Sequence, residues 1–213
     1  MQKKIVTISR QYGSGGRYIG KKLSEKLGIP CYDEKLIDMV AKESGFAQDF
    51  VAEKGERMTG SLLFNIASSL SYANNVFSGN GVSLQDEIYF IQNKIIKDLA
   101  EKGSCVIVGR CADYILRERE DVLNVFIHAD MDFRLKRIKA DTDKEFKDDN
   151  KVIDFINKTD KKRANYYNYY SSKKWGDSRS YDFCIDSSVL GIGKTVDMII
   201  EYLKIRYPDE NIK

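Results

Sequence analysis

The chain has 213 residues, of which 42% are apolar and 31% are charged, and its formal net charge at pH 7 is +3. This length and apolar content suit one α/β domain with a substantial core better than two independent domains. The small net charge gives no general argument for nucleic-acid binding, and the longest apolar runs, such as residues 106–108, are far below the roughly 20 residues that a membrane-spanning helix needs.

The pattern of metal-ligating residues argues against a zinc site. The single histidine, His128, lies in an apolar run, and the four cysteines are widely spaced without a C-x-x-C pair. We therefore interpret the cysteines as reduced residues in or near the core. The first residues contain no apolar leader, so we expect a cytoplasmic protein.

Short apolar runs of the β type alternate with helical patterns along the chain. The strand-like runs are residues 4–9, 29–32, 104–108, 122–129 and 181–186. After the first run, Ile19, Leu23 and Leu27 recur on one helical face, and Gly28 is a typical helix end. Strands that alternate with helices predict a parallel sheet covered on both faces. We predict an α/β fold, a three-layer sandwich with a five-stranded parallel sheet.

Two polar segments do not fit this alternation. Residues 47–84 are irregular, with a weak helical pattern at 62–70 and a tip rich in Asn and Gly at 72–81. Residues 141–165 are strongly charged. We interpret both segments as excursions from a single domain over residues 1–213, whose core comprises residues 1–46, 85–140 and 166–213.

A glycine-rich loop follows the first strand-like run. Gly13, Gly15 and Gly16 fall within four residues, Ser14 lies between them, and Arg17 follows at the predicted helix start. Glycines allow successive N–H groups to approach a phosphate, and the helix start adds its own N–H groups. A plain strand-to-helix turn is the alternative, but it needs fewer glycines. The loop is predicted to bind phosphate, although G-x-x-x-x-G-K-[ST] is absent.

The residues around this loop resemble the start of a cytidylate kinase, in the divergent branch called cytidylate kinase-like. In this resemblance Gly13 and Gly15 fall on family glycines, Gly16 falls on the phosphate-binding lysine, and Arg17 and Tyr18 fall on a Ser/Thr pair. The resemblance spans nearly the whole chain and implies a P-loop NTPase-type fold that uses ATP and Mg²⁺. It assigns ATP binding to residues 13–18 and gives Arg17 the role of the missing lysine.

The same resemblance assigns a function to each of the two polar segments. Residues 47–84 correspond to an insertion on the acceptor side, and residues 141–165 correspond to a lid that closes over the ATP phosphates. The small-molecule partner that the family implies is a nucleoside monophosphate. The sequence predicts no oligomeric state.

Arg110 is the strongest candidate for the acceptor site. It follows a buried strand at its carboxyl end, where open α/β sheets bind ligands. Gly109 and Arg110 resemble the Gly-Arg-Asp element with which cytidylate kinases hold the acceptor phosphate, with Cys111 in place of the aspartate and Asp113 two residues further on. The resemblance assigns Arg110 and Asp113 to substrate binding, and a surface arginine in a loop is the alternative.

Further arginines are candidates to stabilise the negative charge of a phosphoryl group during its transfer. Arg134 and Arg137 share a helical face after the fourth strand, where the family carries arginines that lead into the lid. Arg163 lies on one face with Asp160, as at the junction between lid and helix in the family. The resemblance assigns Arg134 to ATP and both Arg137 and Arg163 to catalysis. Solvated basic faces are the alternative for each.

Acidic residues give weaker signals. Asp33 precedes a helical pattern, so it is interpreted either as an N-cap or as a contact to the acceptor. Asp130 and Asp132 are candidate Mg²⁺ neighbours, and Ser9 and Ser14 are candidate hydroxyl ligands. None of them has a decisive spacing, and Mg²⁺ can be held by ATP phosphates and water.

A tyrosine- and lysine-rich stretch follows the charged segment at residues 166–175. Aromatic and basic residues in alternation can bind single-stranded nucleic acid, but they equally suit a helix that packs on the sheet while its lysines stay in water. Packing is the preferred interpretation.

The resulting expectation is ATP-dependent phosphoryl transfer to a small acceptor, foremost a nucleoside monophosphate such as CMP or dCMP. A kinase for another small molecule and a non-catalytic nucleotide-binding module are the alternatives.

Overall fold

The computed structural model describes residues 4–56, 83–141 and 148–208. The weak helical pattern at 62–70 and the tip at 72–81 lie outside the described residues.

Five parallel strands form one sheet in the described chain. They are β1 (Ile5–Arg10), β2 (Cys31–Tyr32), β3 (Cys105–Val108), β4 (Val122–His128) and β5 (Phe183–Asp186). Their order is β2-β3-β1-β4-β5, and β1 pairs with β3 on one edge and with β4 on the other. All six residues of β1 are buried, as expected for a strand with neighbours on both edges and helices on both faces. The predicted five-stranded parallel sheet is confirmed, with each strand within two residues of its predicted bounds.

Helices cover both faces of the sheet. Those in the described residues are α1 (Gly16–Leu27), α2 (Glu34–Ser44), α3 (Gln48–Lys54), α4 (Leu84–Lys102), α5 (Ala112–Ile115), α6 (Met131–Asp141), α7 (Asp149–Ser171) and α8 (Ser187–Arg206). One buried cluster joins α1 and α8 to the face that carries Val6 and Ile8. A second joins α2, α4, α5 and α7 to the face that carries Ile5 and Ile107. The three-layer arrangement is therefore confirmed.

The packing of α1 on the sheet depends on one glycine. A Cβ atom at Gly20 would lie 2.9 Å from Cγ2 of Val108, so a larger residue would push the helix outward. At its other end α1 stops at Gly28, which has a φ of 64° and donates its N–H to the carbonyl groups of the last turn. Both features hold α1 against the central strands, and its N-terminus lies directly beyond β1.

The topology brings all strand carboxyl ends to one edge of the sheet. The chain leaves β1 towards β2 on one side and later passes from β3 to β4 on the other side of β1. In open α/β sheets the crevice at such a reversal is the usual ligand site. The residues that follow β1, β3 and β4 therefore meet at the place where the sequence analysis expects phosphate and acceptor.

The two predicted excursions contain helical structure where they are described. α3 lies within residues 47–84, and α7 begins within residues 141–165 and continues to Ser171 without a break. The functional extent of the insertion and of the lid stays a prediction. Among the helices of the described residues, none is long and apolar enough to span a membrane.

Candidate active site

The glycine loop spans residues 11–15, between the end of β1 and the start of α1. Gly13 and Gly15 have φ values of 81° and 82°, which glycine adopts without the strain that a side chain would add. The Ser14 hydroxyl donates to the Gln11 carbonyl at 2.9 Å, and the Ser187 hydroxyl donates to the Ser14 carbonyl at 2.7 Å. No side chain caps α1, so the N–H groups of its first turn are placed to donate to an anion.

Each glycine of the loop is also a point of close approach. A Cβ atom at Gly13 would lie 3.1 Å from the Cβ and the carbonyl oxygen of Arg134, and one at Gly15 would collide with Ile192. A Cβ at Gly16 would lie 2.6 Å from Cβ and 2.7 Å from Cγ of Arg10. A side chain at position 16 would therefore overlap the Arg10 side chain, and glycine avoids this overlap.

This contact relates two departures from the G-x-x-x-x-G-K-[ST] spacing. When Gly15 takes the second glycine of that spacing, Gly16 takes the lysine and Arg10 takes the first glycine. Relative to that spacing, a cation is absent at position 16, where α1 begins, and present at position 10, where β1 ends. The Arg10 stem and a side chain at position 16 compete for one volume, so the two changes depend on each other.

An ion pair between the buried Arg134 and the half-buried Asp160 holds the backbone of Tyr12 in the loop. Asp160 of α7 accepts the Tyr12 N–H at 2.7 Å, and Arg134 of α6 donates to the Tyr12 carbonyl at 2.7 Å. Arg134 and Asp160 also pair with each other. The structure therefore places Arg134, predicted to bind ATP, as a buried link between the loop and two helices.

Arg137 and Arg17, both predicted as catalytic, lie in different surroundings. The Arg137 guanidinium lies 3.5–3.6 Å from the position of a Gly15 Cβ, and it stacks on the Tyr18 ring at 4.9 Å. Arg137 also pairs with Asp141 at 3.2 Å. Arg17 pairs with Asp33 at 2.6 Å and with Glu34 at 2.9 Å, and its side chain is 56% exposed. The structure thus brings Arg137 to the loop, while Arg17 and Asp33 pair with each other at the start of α2. Asp33 occupies the N-cap position of α2, and its side chain makes no capping hydrogen bond.

The backbone after β3 is strained in a way that turns Arg110 inward. Gly109, Arg110 and Cys111 have successive φ values of 74°, 60° and 55°, in the left-handed region that costs of the order of 1 kcal/mol or more for a residue with a side chain. The Arg110 side chain is buried, and its Nη1 donates to the Val51 carbonyl and to Oε1 of Gln92, both at 3.2 Å. Strain of this kind at the carboxyl end of a strand supports a functional role for Arg110.

Arg10 and Arg163 lie beside Arg110. Arg10 binds the Glu56 carboxylate through both terminal nitrogens, and Arg163 approaches the same carboxylate at 3.9 Å from Nε to Oε2. Arg163 also donates to the Arg10 carbonyl at 3.1 Å, and its guanidinium lies 5.5 Å from the centre of the Tyr12 ring. Arg163 therefore touches both the glycine loop and the Glu56 carboxylate.

The electrostatics of this group are those of buried cations around one anion. Burial alone would raise the pKa of Glu56, but the surrounding arginines, foremost Arg10, lower it well below its usual range. Burial lowers the pKa of Arg110, which Glu56 only partly offsets. Glu56 therefore only partly balances the charge of the arginines, and such cations favour a bound anion.

We call this group the arginine pocket, defined by Arg10, Glu56, Arg110 and Arg163. The other residues that line it are Ser9, Gly109, Cys111, Tyr166, Tyr167 and Trp175. Its ionised lining residues are three arginines and one glutamate, so the lining has a net charge of about +2. The cavity measures about 20 Å³, which is enough for one water molecule.

Asp113, predicted to bind the acceptor, faces a tyrosine instead. It is buried, and its Oδ2 accepts the Tyr167 hydroxyl at 2.7 Å. Burial raises the pKa of Asp113. Asp113 is not itself a lining residue of the arginine pocket, whereas Tyr167 is.

The candidate magnesium ligands do not converge. The Ser14 hydroxyl is turned into the loop, and Asp130 accepts the Phe133 N–H at 2.7 Å at the start of α6. Within the described ranges 4–56, 83–141 and 148–208, no group of three or more His, Cys, Asp or Glu residues could hold a metal ion.

The tyrosine-rich part of α7 is partly built into the core. Tyr166 and Tyr167 are buried, and Tyr170 stacks on Tyr89 of α4 with ring centres 3.8 Å apart. Tyr169 is 60% exposed. Most of these rings thus pack against the sheet and its helices. This agrees with the interpretation of the stretch as a packed helix.

Sequence reasoning missed two members of the arginine pocket, Arg10 and Glu56. Arg10 had a usable signal, because it ends a buried strand and stands at the first glycine of the P-loop spacing. Glu56 had none, because it lies in an irregular polar segment and meets Arg10 only through the fold.

Comparisons with known proteins concern the family and the fold. The model of the cytidylate kinase-like family matches residues 5–189. No curated protein matches the sequence. A solved structure of an uncharacterized protein from Eubacterium ventriosum is 32% identical, with a TM-score of 0.69 over 94% of this chain and 98% of that chain.

Two shikimate kinases share the fold at low identity. The enzyme from Bacteroides thetaiotaomicron is 14% identical with a TM-score of 0.54, over 94% of this chain and 98% of that one. The enzyme from Acinetobacter baumannii, solved in complex with shikimate, is 10% identical with a TM-score of 0.51, over 97% and 96%. At these identities the likeness concerns the fold alone.

Proposed function

Because this chain belongs to the cytidylate kinase-like family, we propose that it transfers the γ-phosphoryl group of ATP to a nucleoside monophosphate of the CMP or dCMP type. Phosphoryl transfer is the general activity of a kinase of this family. The observation that carries the finer proposal is the meeting of the glycine loop and the arginine pocket at one edge of the sheet, with Arg163 in contact with both.

The loop supplies the ATP side. Its positive-φ glycines and the uncapped start of α1 fit a chain of phosphates, because such N–H groups bind anions without a side chain. Arg137 stands over Gly15 as the cation of this side. We assign it the charge neutralisation that a lysine at position 16 would supply.

Magnesium has a smaller place in the proposal. The Ser14 side chain is fully buried and donates to the Gln11 carbonyl, so its oxygen is not presented to an incoming ion. Mg²⁺ would reach the site on the phosphates of ATP and on water, and when bound it neutralises phosphate charge. The described residues of the site bind and orient the two substrates.

The arginine pocket supplies the acceptor side. Arg110 is fixed by the Val51 carbonyl and Gln92, and Arg10 lies next to it, so a phosphate monoester would meet two oriented guanidinium groups. Paired N–H donors of arginine match phosphate oxygens in two-point contacts. Tyr166, Tyr167 and Trp175 add aromatic walls against which a nucleoside can pack.

Arg163 lies where it can stabilise the negative charge of a phosphoryl group that passes from the glycine loop to the arginine pocket. It bonds the carbonyl of Arg10, where the loop begins, and it lies against the Tyr12 ring and the Glu56 carboxylate. Phosphoryl transfer spreads negative charge over the transferred oxygens, so a fixed cation there lowers the barrier. We therefore propose that Arg163 stabilises the transition state.

The test is ADP release from ATP and Mg²⁺ with CMP, dCMP, UMP, AMP, GMP or no acceptor. Acceptor-dependent turnover is expected, and Arg110→Ala should lower kcat/KM for the acceptor by about 10²- to 10³-fold, because it leaves the buried groups around it unpaired. Arg163→Ala should lower kcat by a similar factor.

Arg117→Ala is the matched control, because Arg117 lies on the surface against Tyr114 and Glu118. It should leave turnover unchanged. Turnover no faster than the blank with every nucleotide would contradict a nucleoside monophosphate acceptor.

A kinase for a different small acceptor is the second candidate. It is favoured by Cys111, which replaces the aspartate of the resembled Gly-Arg-Asp element, and by Asp113, which binds Tyr167 and does not line the pocket. The substrate panel should therefore include nucleosides, sugars and hydroxy acids such as shikimate. Turnover with one of these and with no nucleotide would select this candidate.

A further inference from the structure

One short segment of the chain occupies the donors of the arginine pocket. The Val51 carbonyl, from within α3, accepts from Arg110, and the Glu56 carboxylate, two residues after α3, binds Arg10. Residues 48–56 therefore engage both arginines that the proposed function gives to the acceptor phosphate.

The Glu56 carboxylate is placed as a ligand anion would be. Its two oxygens face the two terminal nitrogens of Arg10, and Arg163 approaches one of them at 3.9 Å. A Cβ at Gly109 would collide with the same carboxylate, and one at Gly55 would collide with the Arg110 guanidinium. Two glycines thus let the carboxylate and the arginines come this close, which is the geometry of charge-assisted, two-point anion binding.

Space decides whether an acceptor phosphate can bind beside Glu56. The cavity of about 20 Å³ holds one water molecule, and a phosphate group with its four oxygens is several times larger. Two anions side by side would also repel each other in a buried site. An anion that reaches these arginines must therefore take the place of the carboxylate.

Charge favours the exchange. Three arginines and one carboxylate leave the lining with an excess of about two positive charges, whereas a phosphate monoester carries about −1.5 to −2 at pH 7. A phosphate in place of Glu56 matches the arginines better than a single carboxylate does. Glu56 itself would return to water with its charge, which avoids burying it unpaired.

We propose that Glu56 is an internal stand-in for the acceptor's phosphate, which a small molecule bearing a phosphate monoester displaces when it binds the arginine pocket. The proposal rests on the proposed function for the identity of the pocket as the acceptor site. Its physical content is a competition between two anions for Arg10, Arg110 and Arg163. Removing the internal anion must then strengthen the binding of the external one.

The test measures the affinity of inorganic phosphate by isothermal titration calorimetry, without ATP or any acceptor. Glu56→Gln keeps the shape of the side chain and removes its charge. We expect it to bind phosphate at least tenfold more tightly than the wild type, a difference of about 1.4 kcal/mol. Glu101→Gln is the matched control, since Glu101 pairs with Arg119 on the surface and should bind phosphate as the wild type does.

Two further variants locate the effect and guard against misfolding. Arg110→Met in the Glu56→Gln background should abolish the gain, because it removes a donor from the pocket and leaves the glycine loop intact. Glu56→Asp keeps the charge but shortens the reach to Arg10, so it should give a smaller gain in affinity while it preserves the fold. Phosphate should also raise the Tm of Glu56→Gln more than that of the wild type.

Other results would overturn the proposal. Equal phosphate affinity in wild type, Glu56→Gln and Glu56→Asp would mean that Glu56 does not compete with anions. Weaker binding in the folded variants would mean that Glu56 positions the arginines for the ligand, and no binding in any of them would mean that the pocket is not an anion site. Tighter phosphate binding without turnover of any nucleotide would leave the displacement standing and reject the proposed function alone.

Discussion

The glycine loop and the arginine pocket are the two halves of the site, and they are built in opposite ways. The loop is five consecutive residues whose shape follows from local backbone conformation. The pocket is assembled from residues 10, 56, 110 and 163, which come from β1, the end of the α3 segment, the turn after β3, and α7. The loop has no lysine at position 16, while the pocket has three arginines. In the proposed function, the acceptor side therefore carries more positive charge than the ATP side.

The contact between Arg10 and Gly16 is part of this difference. The Arg10 stem occupies the volume that a side chain at position 16 would need, and its guanidinium points to Glu56. Relative to the P-loop spacing, a cation at the start of α1 is thus exchanged for one that lines the arginine pocket. In the proposed function the ATP side obtains its cation from elsewhere, and we assign that role to Arg137 of α6, which lies beside Gly15.

The largest effect is expected at Arg137. If it carries the charge missing from the loop, Arg137→Met should lower kcat by about 10²- to 10³-fold, as the loss of a fixed transition-state donor does, and Arg137→Lys should recover part of that loss. Steady-state turnover with the best acceptor and ATP binding by calorimetry would measure both. Arg117→Met is the control. An unchanged kcat would mean that the loop works without a cation from α6.

Glu56 should show how much the pocket depends on its internal anion. Glu56→Gln leaves buried arginines without their carboxylate, and breaking such an ion pair costs about 3 kcal/mol of the free energy of unfolding at pH 7. Because the pKa of Glu56 is lowered in the folded state, its stabilisation is present above the unfolded pKa of about 4.3 and is lost as the pH falls towards the folded pKa.

Denaturant unfolding of wild type and Glu56→Gln between pH 7 and pH 3 would check this. The difference between the two should be constant down to about pH 5 and should narrow below it. A difference that stays the same at pH 3 would assign the effect to shape rather than to charge.

Gly16 tests the link between the two halves. Gly16→Lys restores the lysine of the spacing but overfills the space beside Arg10, so we expect a loss of about 1–3 kcal/mol in the free energy of unfolding. Gly193→Ala is the matched control, because a Cβ there meets open space and should be neutral or slightly stabilising in a helix.

The double variant Arg10→Gly with Gly16→Lys completes the cycle. The two changes should be coupled by about 1 kcal/mol or more, since one removes the atoms that the other strikes. Simple additivity would mean that the two departures from the spacing arose independently.

The comparison also explains what sequence alone could predict. The sheet and its helices are periodic patterns of apolar residues, so Ile5 to Ile8 and the Ile19–Leu23 stripe were sufficient to predict them. The conformation of Gly13 and Gly15 could be predicted from the sequence, because a positive φ is a local preference of glycine. Arg110 could be proposed as a site residue because it follows the carboxyl end of a strand, where open α/β sheets bind ligands.

The partners of the polar residues were not legible in the same way. Arg134 and Asp160 are far apart in the chain, and only the fold shows that they clamp Tyr12. The sequence predicts Asp113 as a substrate contact, and only the fold shows its hydrogen bond to Tyr167. Glu56 has no pattern around it. Pairing between distant elements depends on topology and orientation, which single residues in a sequence do not encode.

Arg17 gives the smallest expected effect and separates sequence reasoning from geometry. The resemblance gives Arg17 the role of the missing lysine, while the structure pairs its exposed guanidinium with the half-buried Asp33 and the exposed Glu34. Because these contacts hold the Arg17 guanidinium at the start of α2, Arg17→Met should change kcat and the KM for ATP by less than about threefold, and loss of such a pair should change the free energy of unfolding by about 0–1 kcal/mol. The measurement is the same steady-state assay used for Arg137. A loss of a hundredfold or more would show that Arg17 leaves Asp33 when ATP binds, and it would return the cation of the ATP side to the glycine loop itself.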